Sequence, residues 1–275
     1  MEFFQSLSHF FQWGFGLTIS WSTMLCIPTL VAVLSVIVIA IKVCRSPACP
    51  QTETPILTQK DNYAPIVLDN ILNRRTIYPK DCLENKTITK QELEMILEAA
   101  NWAPTHNKTE PWRYIIFHGP EAILSYLDFL EDFYTTKAHI ISENEMETFR
   151  KKMSGARKDW PQKCATLIVI AMKRQQPDEN GSRIPEWEEI SAVANSVHNM
   201  HLMATGMNDI AGFWSSHTWC KRARDSEEMR VFLHLSGEED RVFGAFLLGR
   251  YDTKQRRKFR SSRTPIWDKV QIIEV

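Results

Sequence analysis

Asn73-Arg74-Arg75-Thr76 sets two guanidinium groups beside a hydroxyl where a helical pattern ends. An arginine fork matches phosphate oxygens two at a time and never loses its charge, so this trio suits a phosphate. Taken alone, the same cations also fit a solvated helix end, where they complement the dipole. Arg260 and Arg263 form a second basic set in the run KQRRKFRSSR, residues 254–263. That run fits a solvated surface, an anionic lipid surface, or the dianion that Arg74 and Arg75 would hold. The stretch APTHNKTEPW, residues 103–112, holds a Thr-His-Asn-Lys-Thr-Glu run between two prolines. An ordinary helix-to-strand connection is shorter and carries less chemistry. GFWSS, residues 212–216, places a small residue before an aromatic one. A flat conjugated ligand needs such close backbone approach together with stacking area, although a tryptophan after a strand also serves as plain core.

Several chemistries are excluded by what the chain lacks. There is no GxSxG elbow, no GxxxxGK[ST] loop and no GxGxxG after a strand, and the whole chain has only 10 glycines. Eight histidines and six cysteines form no metal-ligand spacing, so no metal site is expected, and the cysteines read as reduced thiols. Lys+Arg and Asp+Glu balance at 33 each, which leaves no global field to draw in nucleic acid. If the chain carries out redox chemistry, a bound cofactor must supply it.

The elements that would position these residues follow from periodicity. Val67, Leu68, Ile71 and Leu72 lie at helical spacing before Asn73. Thr89 and Glu92 form a capping box that opens a helix with Leu93, Ile96, Leu97 and Ala100 on its buried stripe. Residues 113–118 (RYIIFH) predict a strand, and helical patterns cover 121–135 and 143–158. TLIVIAM, 166–172, is apolar throughout and predicts a strand covered on both faces. A long helix over about 186–207 carries Ile190, Val193, Val197 and Met200 on one face. GFWSS and VFGAFLLG (242–249) complete the strands, giving an α+β sheet with helices on both sides.

Ahead of this domain, residues 3–41 contain no Asp, Glu, Lys or Arg. Residues 21–41 are long enough to span a bilayer as a helix. A signal peptide would want a basic start and a shorter apolar core. The expectation is therefore an N-terminal membrane anchor over 1–45, a Pro/Ser/Thr-rich linker over 46–61 and a folded domain over 62–275. Lys42 and Arg45 follow the span, which favours a single-pass protein with its domain in the cytosol.

NRRTIY (73–78), NWAPTHNKTEPWRYIIF (101–117), IPEWEEISAVANSVHNMHLMATGMNDIAGFWSS (184–216), VFGAFLLGR (242–250) and SRTPIWDKVQII (262–273) occur in an order that resembles the nitroreductase family of FMN flavoproteins. The resemblance implies an α+β nitroreductase-like fold with a central mixed sheet flanked by helices, completed as a homodimer. It implies that Arg74, Arg75 and Thr76 bind the FMN phosphate and ribityl chain, with Arg263 and, more weakly, Arg260 from the C-terminal arm. Trp102 and His106 would reach the flavin of the partner subunit, and Phe213, Trp214 and Ser215 would pass the ring. The implied reaction is ping-pong: NADH or NADPH reduces the flavin and leaves, and a nitroaromatic, quinone or similar small acceptor takes its place. The flavin is the reactive group and no catalytic side chain is assigned; the proton would come from water or a polar loop residue, with His106 only a candidate. Glu110, where the family has Gln, resembles the iodotyrosine deiodinase branch, so reductive dehalogenation is an alternative. Residues 142–160, where that branch keeps a lid tyrosine, contain none. A non-catalytic flavin-binding protein and a membrane adaptor remain further alternatives.

Overall fold

Local rules set most of the elements. In the computed structural model, which describes residues 63–259 and 261–273, α1 spans Tyr63–Asn73. α2 (Lys90–Asn101) starts at Thr89, whose Oγ1 accepts the Glu92 N–H at 3.2 Å while Glu92 Oε2 accepts the Thr89 N–H at 2.8 Å. Two donors orphaned by the first turn are thereby satisfied. β1 (Trp112–His118) leads to α3 (Pro120–Thr136), and Ser142 caps α4 (Glu143–Lys163) by accepting the Glu145 N–H. β2 (Thr166–Met172), α5 (Glu186–Gly206) and β3 (Ile210–Ser215) follow. Two short helices, α6 (Lys221–Arg224) and α7 (Glu227–Phe232), precede β4 (Arg241–Arg250). The C-terminal arm carries 3₁₀ turns at Thr253–Lys258 and Ile266–Lys269. The expected anchor (1–45), the linker (46–61) and Arg260 lie outside the described residues, among which no helix is long and apolar enough to cross a membrane.

The strands are ordered β1-β2-β4-β3 and every neighbouring pair is antiparallel. This corrects the expected mixed sheet: among the described residues the one parallel pairing is an isolated bridge, Thr76 to Gly212. The reason is topological. α5 carries the chain from β2 across to β3, and β4 then enters the gap, so the two strands that share a direction never touch. β2 is buried at every position, as its apolar run predicts. Leu167, Val169 and Ala171 join the core beneath α3 and α4, whereas Ile168, Ile170 and Met172 join the core beneath α2 and α5. Alternate side chains of a strand point to opposite faces, so a strand covered twice loses its polar alternation. Each fully buried Leu or Ile contributes about 1.5–3 kcal/mol.

Two departures shape the rest. On α5, Val193, Val197 and Met200 are buried as expected, but Ile190 is exposed and Glu189 takes the inward position one residue before it. Glu189 turns inward because Arg174 meets it there in a buried ion pair. At about 100° per residue Ile190 must then face away. On α1, the apolar residues Val67, Leu68, Ile71 and Leu72 are 47–60 % exposed, and on the C-terminal arm Trp267 is 70 % exposed. Among the described residues nothing covers these apolar surfaces.

Candidate functional site

α1 ends by delivering Arg74, Arg75 and Thr76 to the edge of β3, where Thr76 bridges Gly212 and the Ile77 N–H donates to the Gly212 carbonyl at 3.4 Å. The C-terminal arm returns to the same place. Arg75 Nε donates to the Phe259 carbonyl at 2.8 Å, and Arg75 Nη1 donates to the Leu72 and Arg74 carbonyls. Arg74, Arg75, Thr76, Lys258 and Arg263, with Tyr78, line a cavity of about 450 Å³ whose lining includes no carboxylate among the described residues. Burial lowers the Arg74 pKa, and the charges of Arg263 and Arg75 push it the same way. Like charges held this close are unfavourable until an anion joins them.

His201 of α5 supports the cluster from below. It is 8 % exposed; Arg74 Nη1 donates a long hydrogen bond to its Nδ1 (3.5 Å), and its Nε2 lies 3.0 Å from the Arg75 carbonyl. An arginine only donates and a carbonyl only accepts, so the neutral ring carrying its proton on Nε2 satisfies both. Burial, then the neighbouring Arg74 charge, pushes the His201 pKa down to about 4, which keeps it neutral near pH 7. The sequence reading missed this residue. The signal available was its spacing from Val193 and Val197, which puts a histidine on the buried stripe of a core helix.

β3 runs alongside. Phe213 packs on Tyr78 with ring centroids 4.8 Å apart, and Trp214 Nε1 donates to the Phe243 carbonyl at 3.1 Å. Opposite Ser215, β4 carries a bulge where the register with β2 shifts between Val169 and Ala171. Gly244 within it has φ 95, and a Cβ there would lie 1.9 Å from the Ser215 carbonyl oxygen. At Gly212 a Cβ would meet Phe246 Cζ at 2.6 Å and His201 Cδ2 at 3.0 Å. Both glycines let backbone close where side chains could not. Beyond the strand, His217 is fully buried and hydrogen-bonded to Tyr126 Oη at 2.9 Å. Its Nε2 has no partner among the described residues.

The loop between α2 and β1 is held by its own polar side chains. Thr105 Oγ1 lies 2.9 Å from Thr109 Oγ1 and accepts the Glu110 N–H at 3.1 Å, and Lys173 N–H donates to the Pro111 carbonyl. Asn107, Lys108 and Glu110 all have positive φ. Left-handed backbone in residues with a Cβ costs about 1–2 kcal/mol each, and such strain gathers at functional sites. His106 Nδ1 pairs with the Glu188 carboxylate of α5, and Trp102, 67 % exposed, donates its indole N–H to Glu98 at 2.7 Å.

Of the residues singled out in the sequence, Arg74, Arg75, Thr76 and Arg263 therefore line one cavity, and Tyr78 links it to Phe213. Trp102 and His106 do not line it within one chain, nor do Trp214 and Ser215. Lys258, Phe259 and Ser261 line it without having been anticipated. Among the described residues no group of His, Cys, Asp and Glu could hold a metal ion.

Residues 71–250 match the model of the Nitroreductase family. A search of curated proteins finds no match. Among solved structures, the fold is similar to a nitroreductase-like family protein from Bacillus cereus (TM-score 0.56, 23% identity, covering 76% of this chain and 96% of that one). It is also similar to a nitroreductase with bound FMN from Bacteroides fragilis NCTC 9343 (TM-score 0.51, 21% identity, 76% and 98% covered). A BluB-like flavoprotein from Clostridium difficile 630 gives a TM-score of 0.52 at 15% identity, with 76% and 99% covered.

Proposed function

The chain belongs to the nitroreductase family, and from that premise we propose that it is an FMN-dependent oxidoreductase working as a homodimer. The observation that carries the reading is the cradle: Arg74, Arg75, Thr76 and Arg263 line one cavity, and no carboxylate among the described residues lines it with them. A phosphate monoester would offset that cluster, its oxygens taken by the arginine forks and the Thr76 hydroxyl. His201 holds Arg74 and the Arg75 carbonyl in place without adding charge. Phe213, Trp214 and Ser215 would flank the ring system. FMN held there would supply the redox chemistry between NADH or NADPH and a nitroaromatic, quinone or similar small acceptor. The cations of the cradle and the N–H groups of β3 favour negative charge beside them. His106 is engaged at Nδ1 by Glu188, which leaves Nε2 as the atom that would hold or pass a proton.

The dimer reading rests on the uncovered apolar residues of α1 and the C-terminal arm, which a second copy would bury. Trp102 and His106 would then face the partner's cradle. Residues 142–160 give the dehalogenase alternative no support, because they lie within α4 and bury Met146, Phe149, Met153 and Trp160 in the core. Residues 1–45 are proposed as a membrane anchor on their lack of charge over 3–41; release of the chain by alkaline extraction would count against it.

The test is the absorbance spectrum of the purified protein, followed anaerobically as NADH or NADPH is added. Flavin bands that bleach with nicotinamide and return with an acceptor are expected. A folded, colourless protein that takes up no FMN sinks the proposal. A yellow protein inert to both nicotinamides would leave the non-catalytic flavin-binding alternative.

A further inference from the structure

A second cavity, of about 900 Å³, lies against the first, and Arg75, Phe259 and Ser261 line both. On its own side it is lined by Asn73, Lys254, Arg256 and Arg257, and by no carboxylate among the described residues. The basic residues stand on the 3₁₀ turn Thr253–Lys258. At three residues per turn, side chains at i and i+3 eclipse, so Lys254 and Arg257 share an edge. Asp252, at the head of the turn, is engaged as its cap, accepting the Lys254 N–H at 3.0 Å and the Gln255 side-chain amide at 3.4 Å. Arg256 makes one long bond, to the Asn73 carbonyl at 3.5 Å. Elsewhere Arg157, Arg183, Arg222, Arg241 and Arg250 each meet a carboxylate. Lys254, Arg256 and Arg257 line this cavity, and no carboxylate among the described residues lines it with them.

We infer that this cavity is a second anion site, separate from the cradle, which takes a phosphate group through Lys254, Arg256 and Arg257. Three reasons favour phosphate over a protein carboxylate. Several cations converge on one concave space, guanidinium forks match phosphate oxygens, and Phe259 gives the wall an apolar surface for whatever carries the phosphate. The carrier is either a soluble phosphate ester or an anionic lipid headgroup, and the shared chemistry is the phosphate. Arg75 contributes charge from the dividing wall, fixed by its bonds to the Phe259, Leu72 and Arg74 carbonyls. The inference does not rest on flavin binding in the cradle.

The test uses the full FMN-loaded chain and a Lys254→Ala/Arg257→Ala double variant. Both positions are exposed, so the fold should be unaffected. Inorganic pyrophosphate is titrated by calorimetry at about 0.15 M salt, where bulk attraction is largely screened. We expect one saturable site whose Kd weakens at least about tenfold in the double variant, with flavin content unchanged. In parallel, flotation with phosphatidylcholine vesicles is compared with and without phosphatidylglycerol. A phosphatidylglycerol-dependent gain that disappears in the variant assigns a lipid headgroup, whereas pyrophosphate binding without that gain assigns a soluble ester. Should the chain hold no flavin, repeating the titration in an Arg263→Ala background weakens the cradle's contribution, and the Lys254/Arg257-dependent part of the binding still reports the second cavity. The inference is overturned if neither pyrophosphate nor phosphatidylglycerol distinguishes the double variant from the parent.

Discussion

Arg174 and Arg74 both lie against α5, roughly three turns apart, and the helix receives them differently. Arg174 is 5 % exposed and pairs with Glu189, itself 1 % exposed. Its Nη2 donates to the Ile184 carbonyl at 3.0 Å, its backbone N–H donates to Asp240 Oδ1 at 3.0 Å, and Glu189 Oε1 accepts the Gln175 N–H. Arg74 instead meets the neutral His201, and the charges of Arg263 and Arg75 act on it. The first arginine is neutralised inside the fold, where its partners close around it. The second is positioned just as carefully but left with its charge uncancelled. An arginine with a buried carboxylate is architecture; one held in place beside other cations points to something arriving from solution.

The sharpest way to break this contrast is at Glu189. Glu189→Ala leaves Arg174 buried and unpaired, with an expected loss of about 3–5 kcal/mol, read from denaturant midpoints. FMN affinity per folded molecule should stay put; a loss below about 1 kcal/mol would mean the pair does not hold the fold. Arg263→Ala should do the reverse. Equilibrium dialysis is expected to show FMN binding weakened about 10- to 100-fold, while the flavin-free protein moves by less than about 0.5 kcal/mol. If its stability fell as far as that of the Glu189 variant, the two regions would not differ in kind.

Acid should act on the His201 side of α5. Burial and then Arg74 hold His201 at about 4, and burial and then Arg224 hold His217 at about 3. Both values lie below the ordinary 6.5, so the folded state binds fewer protons than the unfolded state in between. Stability is then full above about pH 6.5 and is lost as pH falls toward 4 and 3, by about 2 kcal/mol for each histidine at pH 5. A His201→Asn chain should lack its share in urea titrations at pH 5 and 7; an unchanged pH slope would refute the assignment. Smallest is Gly212→Ala, whose Cβ would crowd Phe246 and His201. A cost of about 1–2 kcal/mol is expected, together with weaker FMN binding if His201 shifts; an effect confined to stability would separate the histidine from the cradle.

Local structure was legible where one short stretch decides it. Thr89 and Glu92 announce a helix start because both halves of the capping box sit three residues apart, and the unbroken apolar run of β2 announces two covered faces. Strand direction was not legible, because a run of Leu, Ile and Val specifies burial and says nothing of which way its neighbours travel. Ile190 misled for a related reason: helical period counts it as core, whereas the Arg174–Glu189 pair rotates the stripe by one position. In the candidate site, Arg74, Arg75 and Arg263 stood out as charges, and Thr76 as a hydroxyl, matching a family pattern. His201 was not, since period alone marks its position as inward without naming what it touches. Trp102 and His106 carry an expectation that one chain cannot meet, because they line no cavity with Arg74.

Arg75 and Phe259, joined by one hydrogen bond, are separated by 184 positions in sequence. All four strands are synthesised by Arg250, before the arm that brings Phe259 and Arg263. A nascent chain halted there carries the four-stranded sheet and two of the three arginines that line the cradle. Because the ribosomal tunnel shelters the newest stretch of any polypeptide, the cluster can close only once the arm through Arg263 has emerged. Loading of an anion there waits for that arm, and premature termination after β4 would leave Arg74, Arg75 and Thr76 without their C-terminal partners.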